Sequence, residues 1–213
     1  MNKKIIIEFI GMPGSGKTFY QKKILKRLGK KVFYNDYTFL SKTMKFFFII
    51  LFMIRYTSFF FSTLTIIRKL KTLNQINRYL YYFYNEIALR AHFDQNRKPY
   101  FVNSEGFFYR SSLYFQNNFN IDVIKHLKKI PTINILVVVK SSKKINLRRV
   151  HIRKNQYKYS MKDLINYKKK KIFLEKISSF YKKNLNKLLI IDNSDYKHTN
   201  NNIDKIIKCI NSL

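Results

Sequence analysis

Hydrophobic and polar positions follow two rhythms along this chain. Ile5, Ile6, Ile7, Phe9 and Ile10 make a nearly unbroken, β-branched apolar run, the pattern of a strand buried on both faces of a parallel sheet. From about Lys17 to Leu28 the apolar positions Phe19, Ile24, Leu25 and Leu28 fall at helical spacing, and Gly29 supplies a stop. Val32, Phe33 and Tyr34 predict a short second strand. Tyr100 to Asn103, Ile133 to Val139 and Leu188 to Ile191 predict three more. Helical patterns lie between and after them, at about Leu73 to Phe93, Ile121 to Lys129, Lys143 to Arg153, Met161 to Asn186 and Asn202 to Ile210. Strands alternating with helices predict an α/β protein with a parallel sheet of about five strands, covered by helices on both faces. No linker or internal repeat interrupts residues 1–213, so one domain is expected.

One segment resists this scheme. Phe46 to Ile54 carry no charge, Arg55 follows, and Tyr56 to Ile67 are again uncharged. The whole is long enough to cross a bilayer, with Arg55 near its middle costing roughly 2.5–3.5 kcal/mol. A single crossing would part the first strand from the last three and forbid the sheet. The expectation is therefore buried helices packed beside the sheet, with a surface helix touching membrane and, last, a true span as the alternatives.

The first strand runs into Gly11-Met12-Pro13-Gly14-Ser15-Gly16-Lys17-Thr18. This is glycine, four residues, then Gly-Lys-Ser/Thr, the pattern of a phosphate-binding loop. Glycines let backbone amides close on a phosphate, and the following helix N-terminus adds its dipole. Gly11, Pro13, Gly14, Ser15, Gly16, Lys17 and Thr18 are the expected nucleotide-binding residues. Lys17 reaches the β- and γ-phosphates of ATP, and the Thr18 hydroxyl serves magnesium. Glycine is scarce here, and three of the five lie in this loop.

Two further segments carry candidate chemistry. Tyr100 to Asn103 leads into Ser104-Glu105-Gly106, and ligands sit beyond the C-terminal ends of parallel strands. If this strand neighbours the first, Glu105 faces the phosphates, where a carboxylate can hold magnesium or take a proton from an attacking hydroxyl. After the fourth strand come Arg148, Arg149 and Arg153, the last two sharing a helix face, with Ser142 as N-cap. Guanidinium groups over a γ-phosphate stabilise the charge of transfer. A lid is expected over about 149–163.

Composition narrows the partners. The formal net charge is +32, with 43 Lys and Arg against 11 Asp and Glu. Lysines are spread along the chain, and Asn, Ile, Phe and Tyr are inflated with them, as AT-rich coding produces. Specific nucleic-acid recognition is not expected, although anionic surfaces are attracted non-specifically. The single Cys209 excludes an intrachain disulfide and fits a reducing compartment. Met1 to Ile10 is too short an apolar start for a signal peptide. A cytoplasmic protein, with peripheral membrane contact as the alternative, is expected. The oligomeric state is not legible.

Taken together, the opening Ile7-Glu8-Phe9-Ile10-Gly11-Met12-Pro13-Gly14-Ser15-Gly16-Lys17-Thr18 resembles that of the P-loop nucleoside and nucleotide kinases, such as thymidylate and deoxynucleoside kinases. It is closer still to kinase-like ATP-binding proteins of bacterial surface-polysaccharide gene clusters. Ser104-Glu105-Gly106-Phe107-Phe108-Tyr109-Arg110 resembles their acid-Glu-Gly segment with its aromatic stretch ending in arginine. The resemblance implies a P-loop NTPase fold of three α/β/α layers with a lid, and ATP and magnesium as cofactors. It makes Glu105 the base or metal-side acid, Arg110 a contact to substrate or phosphate, and Arg149 and Arg153 lid arginines. Asp36 would face the acceptor, and a helical region at about 43–96 would form its pocket. Ser104 stands where that family often has Asp, and Lys140 where an acid often ends the fourth strand. The leading reading is a kinase acting on a small nucleoside, nucleotide or sugar-type acceptor, with Lys17, Glu105, Arg149 and Arg153 as catalytic residues. The alternative is a nucleotide-dependent switch or accessory protein with little transfer activity.

Overall fold

The computed structural model describes residues 3–33, 41–70, 72–104, 106–115, 121–130, 133–154, 161–184, 187–195 and 198–213. Five strands form one parallel sheet: β1 (Ile5–Gly11), β2 (Val32–Phe33), β3 (Tyr100–Asn103), β4 (Ile135–Lys140) and β5 (Leu188–Asp192), in the order β2-β3-β1-β4-β5. The first strand is central. Ile5 pairs with Tyr100 of β3 on one side, and Ile7 with Ile135 of β4 on the other.

That position explains the apolar run. Side chains alternate across a strand, and both faces of β1 are covered. Ile7 and Phe9 pack with Tyr20 and Ile24 of α1 (Lys17–Leu28) and Ile203, Ile206 and Ile210 of α9 (Thr199–Asn211). Ile10 on the opposite face joins a larger core built on α4 (Leu73–Gln95), α5 (Phe107–Phe115), α6 (Ile121–Lys128) and α8 (Met161–Asn184). The result is three α/β/α layers. α7 (Lys143–Lys154) follows β4, and the Ser142 hydroxyl accepts from Ile145 N at 3.3 Å as its cap.

Two expectations need correction. The apolar stripe expected on α1 at Phe19, Ile24, Leu25 and Leu28 is not its buried face as a whole: Tyr20 and Ile24 are its buried residues and Phe19 is 38% exposed. The helix turns its tyrosine inward because Tyr20 Oη meets Asn193 and Asn202 beneath the loop. The uncharged segment forms two helices, α2 (Lys42–Arg55) and α3 (Thr57–Ile67), bent by 104°. They are only half-buried. Phe48, Phe52, Phe59 and Ile66 enter the core, while α2 lies along α4 and α3 against α6. His126 sits inside this tier, stacked on Phe59 and bonded to Ser62, so it is a structural histidine. Among the described residues no single helix is long and apolar enough to cross a membrane.

Candidate functional site

The loop from β1 to α1 has the backbone its glycines allow. Gly14 and Gly16 adopt φ of 80° and 95°, values that L side chains rarely take. Ser15 N donates to Met12 O at 3.0 Å, closing the turn. Gly11 has no room for a side chain, since a Cβ there would lie 2.5 Å from Ser15 Oγ and from Val139 O. Each side of the loop is held from elsewhere in the chain. Asn193, after β5, donates from Nδ2 to Ser15 O at 2.7 Å. Arg149 of α7 donates from Nη1 to Gly14 O at 3.1 Å.

This cradle suits an anion. α1 begins with no acidic residue in its first turn, so its own sequence leaves the N-terminal dipole unopposed. Ser15 Oγ is fully buried with no hydrogen-bond partner, a donor of the kind that a bound group normally satisfies. The Thr18 side chain is exposed at the same helix start.

Behind the loop lies a buried polar cluster that the sequence reading did not single out. Glu8 sits on β1 between Ile6 and Ile10, on the α4 and α5 face, and is fully buried. Its Oε1 accepts from Phe108 N at 2.8 Å and Tyr109 N at 3.2 Å, the first turn of α5. Its Oε2 lies 3.4 Å from Arg90 Nη2 of α4. Arg90 Nε also donates to Glu86 at 2.9 Å, and Asn103 Nδ2 donates to Glu86 at 2.7 Å. One guanidinium thus serves two carboxylates. Burial pushes the Glu8 carboxyl up to about 8, against the opposing pull of Arg90. Glu86 is raised for the same reason. The signal available beforehand was a carboxylate inside an otherwise apolar central strand.

Gly106 is explained by this cluster. A Cβ there would lie 2.5 Å from Glu8 Cδ and Oε2. The glycine is needed for the approach of a buried carboxylate, not for a positive-φ turn.

From the cluster the chain leads directly to the loop. Tyr109, held by Glu8 through its backbone, places its ring 4.6 Å from Lys17 Nζ. Lys170 of α8, 5% exposed, places its own Nζ 4.4 Å from the same ring. Lys170 was missed because it lies in a run of four lysines on a long helix. Arg110 has its guanidinium 3.7 Å from the Tyr82 ring on α4, on the Glu86 side of the site. A cavity of about 290 Å³ opens between the start of the loop, the end of β4 and α8, with Met12, Tyr167, Lys171 and Glu175 in its walls.

Of the expected site residues, Lys17, Thr18, Arg149 and Arg110 therefore stand around one end of the sheet. Arg149 is turned to the loop carbonyl of Gly14. Glu105 and Asp36 lie outside the described residues, as do lid positions 155–160. Arg153 is on α7, with its side chain outside the described atoms.

No family model matches this chain, and no curated protein matches it. Solved structures do. A deoxyadenosine kinase from M. mycoides, with the products dCMP and dCDP bound, aligns at TM-score 0.50 and 16% identity, over 98% of this chain and 100% of its own. That likeness is one of fold, a five-stranded parallel sheet with helices on both faces. A shikimate kinase from Acinetobacter baumannii, in complex with shikimate, aligns at TM-score 0.45 and 15% identity, over 98% and 94% of the two chains.

Proposed function

We propose that this chain is an ATP-dependent phosphotransferase acting on a small nucleoside, nucleotide or sugar-type acceptor. One observation carries the reading. The ammonium groups of Lys17 and Lys170 both lie against the Tyr109 ring, 4.6 and 4.4 Å from its centre, beside a positive-φ loop and a helix with no acidic residue in its first turn. Such convergence of cations and amides suits the charge that spreads over a transferring phosphoryl group.

The roles follow from chemistry. Loop amides and the Ser15 hydroxyl would hold the β-phosphate, and Lys17 would bridge β- and γ-oxygens. Magnesium, when bound, would neutralise phosphate charge. Thr18 offers it a hydroxyl, and Glu105 is the expected acid beside it. The acceptor oxygen attacks the γ-phosphorus, its bond to the β-bridging oxygen breaks, and the hydroxyl proton passes to Glu105. Arg110 and Asp36 are the expected contacts to the acceptor. The M. mycoides enzyme, with dCMP and dCDP bound, makes nucleosides and nucleotides the first acceptors to try.

A second reading, a nucleotide-dependent switch with little transfer, is favoured by Lys140. It ends β4 next to the Gly11 end of β1, where a carboxylate would have supported magnesium. ADP release against a panel of nucleosides, nucleotides and sugars, beside Lys17→Ala and Glu105→Gln, separates the two. Acceptor-dependent turnover lost in both variants supports the kinase. Tight ATP binding with no acceptor-stimulated turnover refutes it.

A further inference from the structure

α2 presents two faces of opposite fate. Phe48 and Phe52 turn inward, 6% and 2% exposed. Phe46, Ile50 and Ile54 recur every four residues on the outer side and are 62%, 41% and 72% exposed, with Phe47 beside them at 57%. These four large apolar residues form one stripe on a helix of 14 residues. Monomeric soluble proteins scatter exposed residues of this size singly, and a contiguous stripe marks a contact surface.

The charge around the stripe selects the partner. From Ser41 to Leu70 the chain contains no Asp or Glu, while Lys42, Lys45, Arg55, Arg68 and Lys69 frame the apolar run. A second copy of this chain would bring another +32 against the first. An anionic bilayer brings the opposite charge together with an apolar interior for the stripe. Crossing by α2 alone is excluded by its length. At about 1.5 Å per residue α2 falls short of a hydrocarbon core of about 30 Å, and the chain turns through 104° before α3. The helix is also anchored to the domain, by Arg55 to Asp94 of α4 at 3.1 Å and Lys45 to Asn85 at 3.3 Å.

We propose that the outer face of α2 docks this domain on the surface of a membrane rich in anionic phospholipid, lying in the headgroup plane. The inference stands apart from the kinase reading, since it uses none of the loop residues.

The chain contains no tryptophan, so Phe47→Trp creates a single reporter on the face. Its emission is expected to shift to the blue with vesicles of equimolar phosphatidylglycerol and phosphatidylcholine, and not with phosphatidylcholine alone. Ile172→Trp, an exposed site on α8, is expected to show no shift. In flotation with the mixed vesicles at raised salt, the triple variant Phe46→Ser/Phe47→Ser/Ile54→Ser should lose about tenfold or more in partitioning. Its melting temperature should match that of the parent chain. Equal partitioning of parent and triple variant would reduce the effect to net charge and overturn the proposal. A blue-shifted, concentration-dependent Phe47→Trp signal without lipid, with a dimer by light scattering, would overturn it in favour of self-association. A shift produced by nucleic acid and not by lipid would overturn it as well.

Discussion

Gly106→Ala tests whether the buried Glu8 carboxylate organises the site. The added Cβ would stand 2.5 Å from Glu8 Cδ and Oε2, where ordinary carbon contacts lie at about 3.5–4.0 Å. The carboxylate must therefore retreat by about 1 Å. It cannot do so freely, because Phe108 N, Tyr109 N and Arg90 pin it at 2.8, 3.2 and 3.4 Å. A retreat of that size takes the shortest of these bonds beyond hydrogen-bonding range. The loss of one or two hydrogen bonds in a dry site costs about 2–4 kcal/mol. In a domain of this size that lowers the melting temperature by roughly 5–15 °C. The matched control is Gly29→Ala, where φ is 57°, ψ is −135° and an added Cβ meets nothing within 4 Å, so the cost is backbone strain alone, about 1–3 kcal/mol. Urea denaturation of both variants gives the comparison. Glu8→Asp, with a shorter side chain, should partly relieve Gly106→Ala, giving a coupling of about 1 kcal/mol or more in a double-mutant cycle. The absence of coupling between Gly106→Ala and Glu8→Asp, with Gly29→Ala uncoupled as well, would refute the role assigned to the carboxylate.

Two further outcomes follow from the same cluster and its neighbours. The Glu8 carboxyl titrates near 4.5 in the unfolded chain and near 8 in the folded one, so the folded state holds the extra proton between those values. Stability should fall as pH rises through that window, by up to about 5 kcal/mol, and Glu8→Gln should flatten the slope of unfolding free energy against pH. An unchanged slope in the variant would refute the assignment. Lys170→Met should lower the rate of acceptor-dependent ADP release by about a hundredfold while leaving acceptor KM within a few-fold. Lys170→Arg should restore part of the rate. A loss of folding in Lys170→Met with no rescue by arginine would make Lys170 a structural residue.

Much of the architecture was legible because its signals are local. β1 and β4 are apolar runs, α4 and α9 carry helical periodicity, and the loop is a contiguous pattern whose glycines answer to their own backbone angles. Boundaries moved where local pattern continued past the hydrogen bonding, as at Ile133, which is buried ahead of β4. Phe19 was misread because helical spacing does not say which of two adjacent aromatics turns inward. Tyr20 does, since its hydroxyl has Asn193 and Asn202 to meet. The segment of α2 and α3 looked uniformly apolar, and only packing on α4 and α6 divided it into a buried face and an exposed one.

What the sequence determined by itself, then, is the order of the strands and of most helices along the chain, α5 excepted, and the glycine-rich loop after β1, because each rests on residues within a few positions of one another. The tertiary structure decided which residues share the site. β3 became the neighbour of β1, and that brought Glu8 to the start of α5, 100 positions away. α8 brought Lys170 to the ring of Tyr109 that already faced Lys17. Such meetings depend on how strands are ordered in the sheet and how helices lie on it, and no periodicity in the chain encodes them.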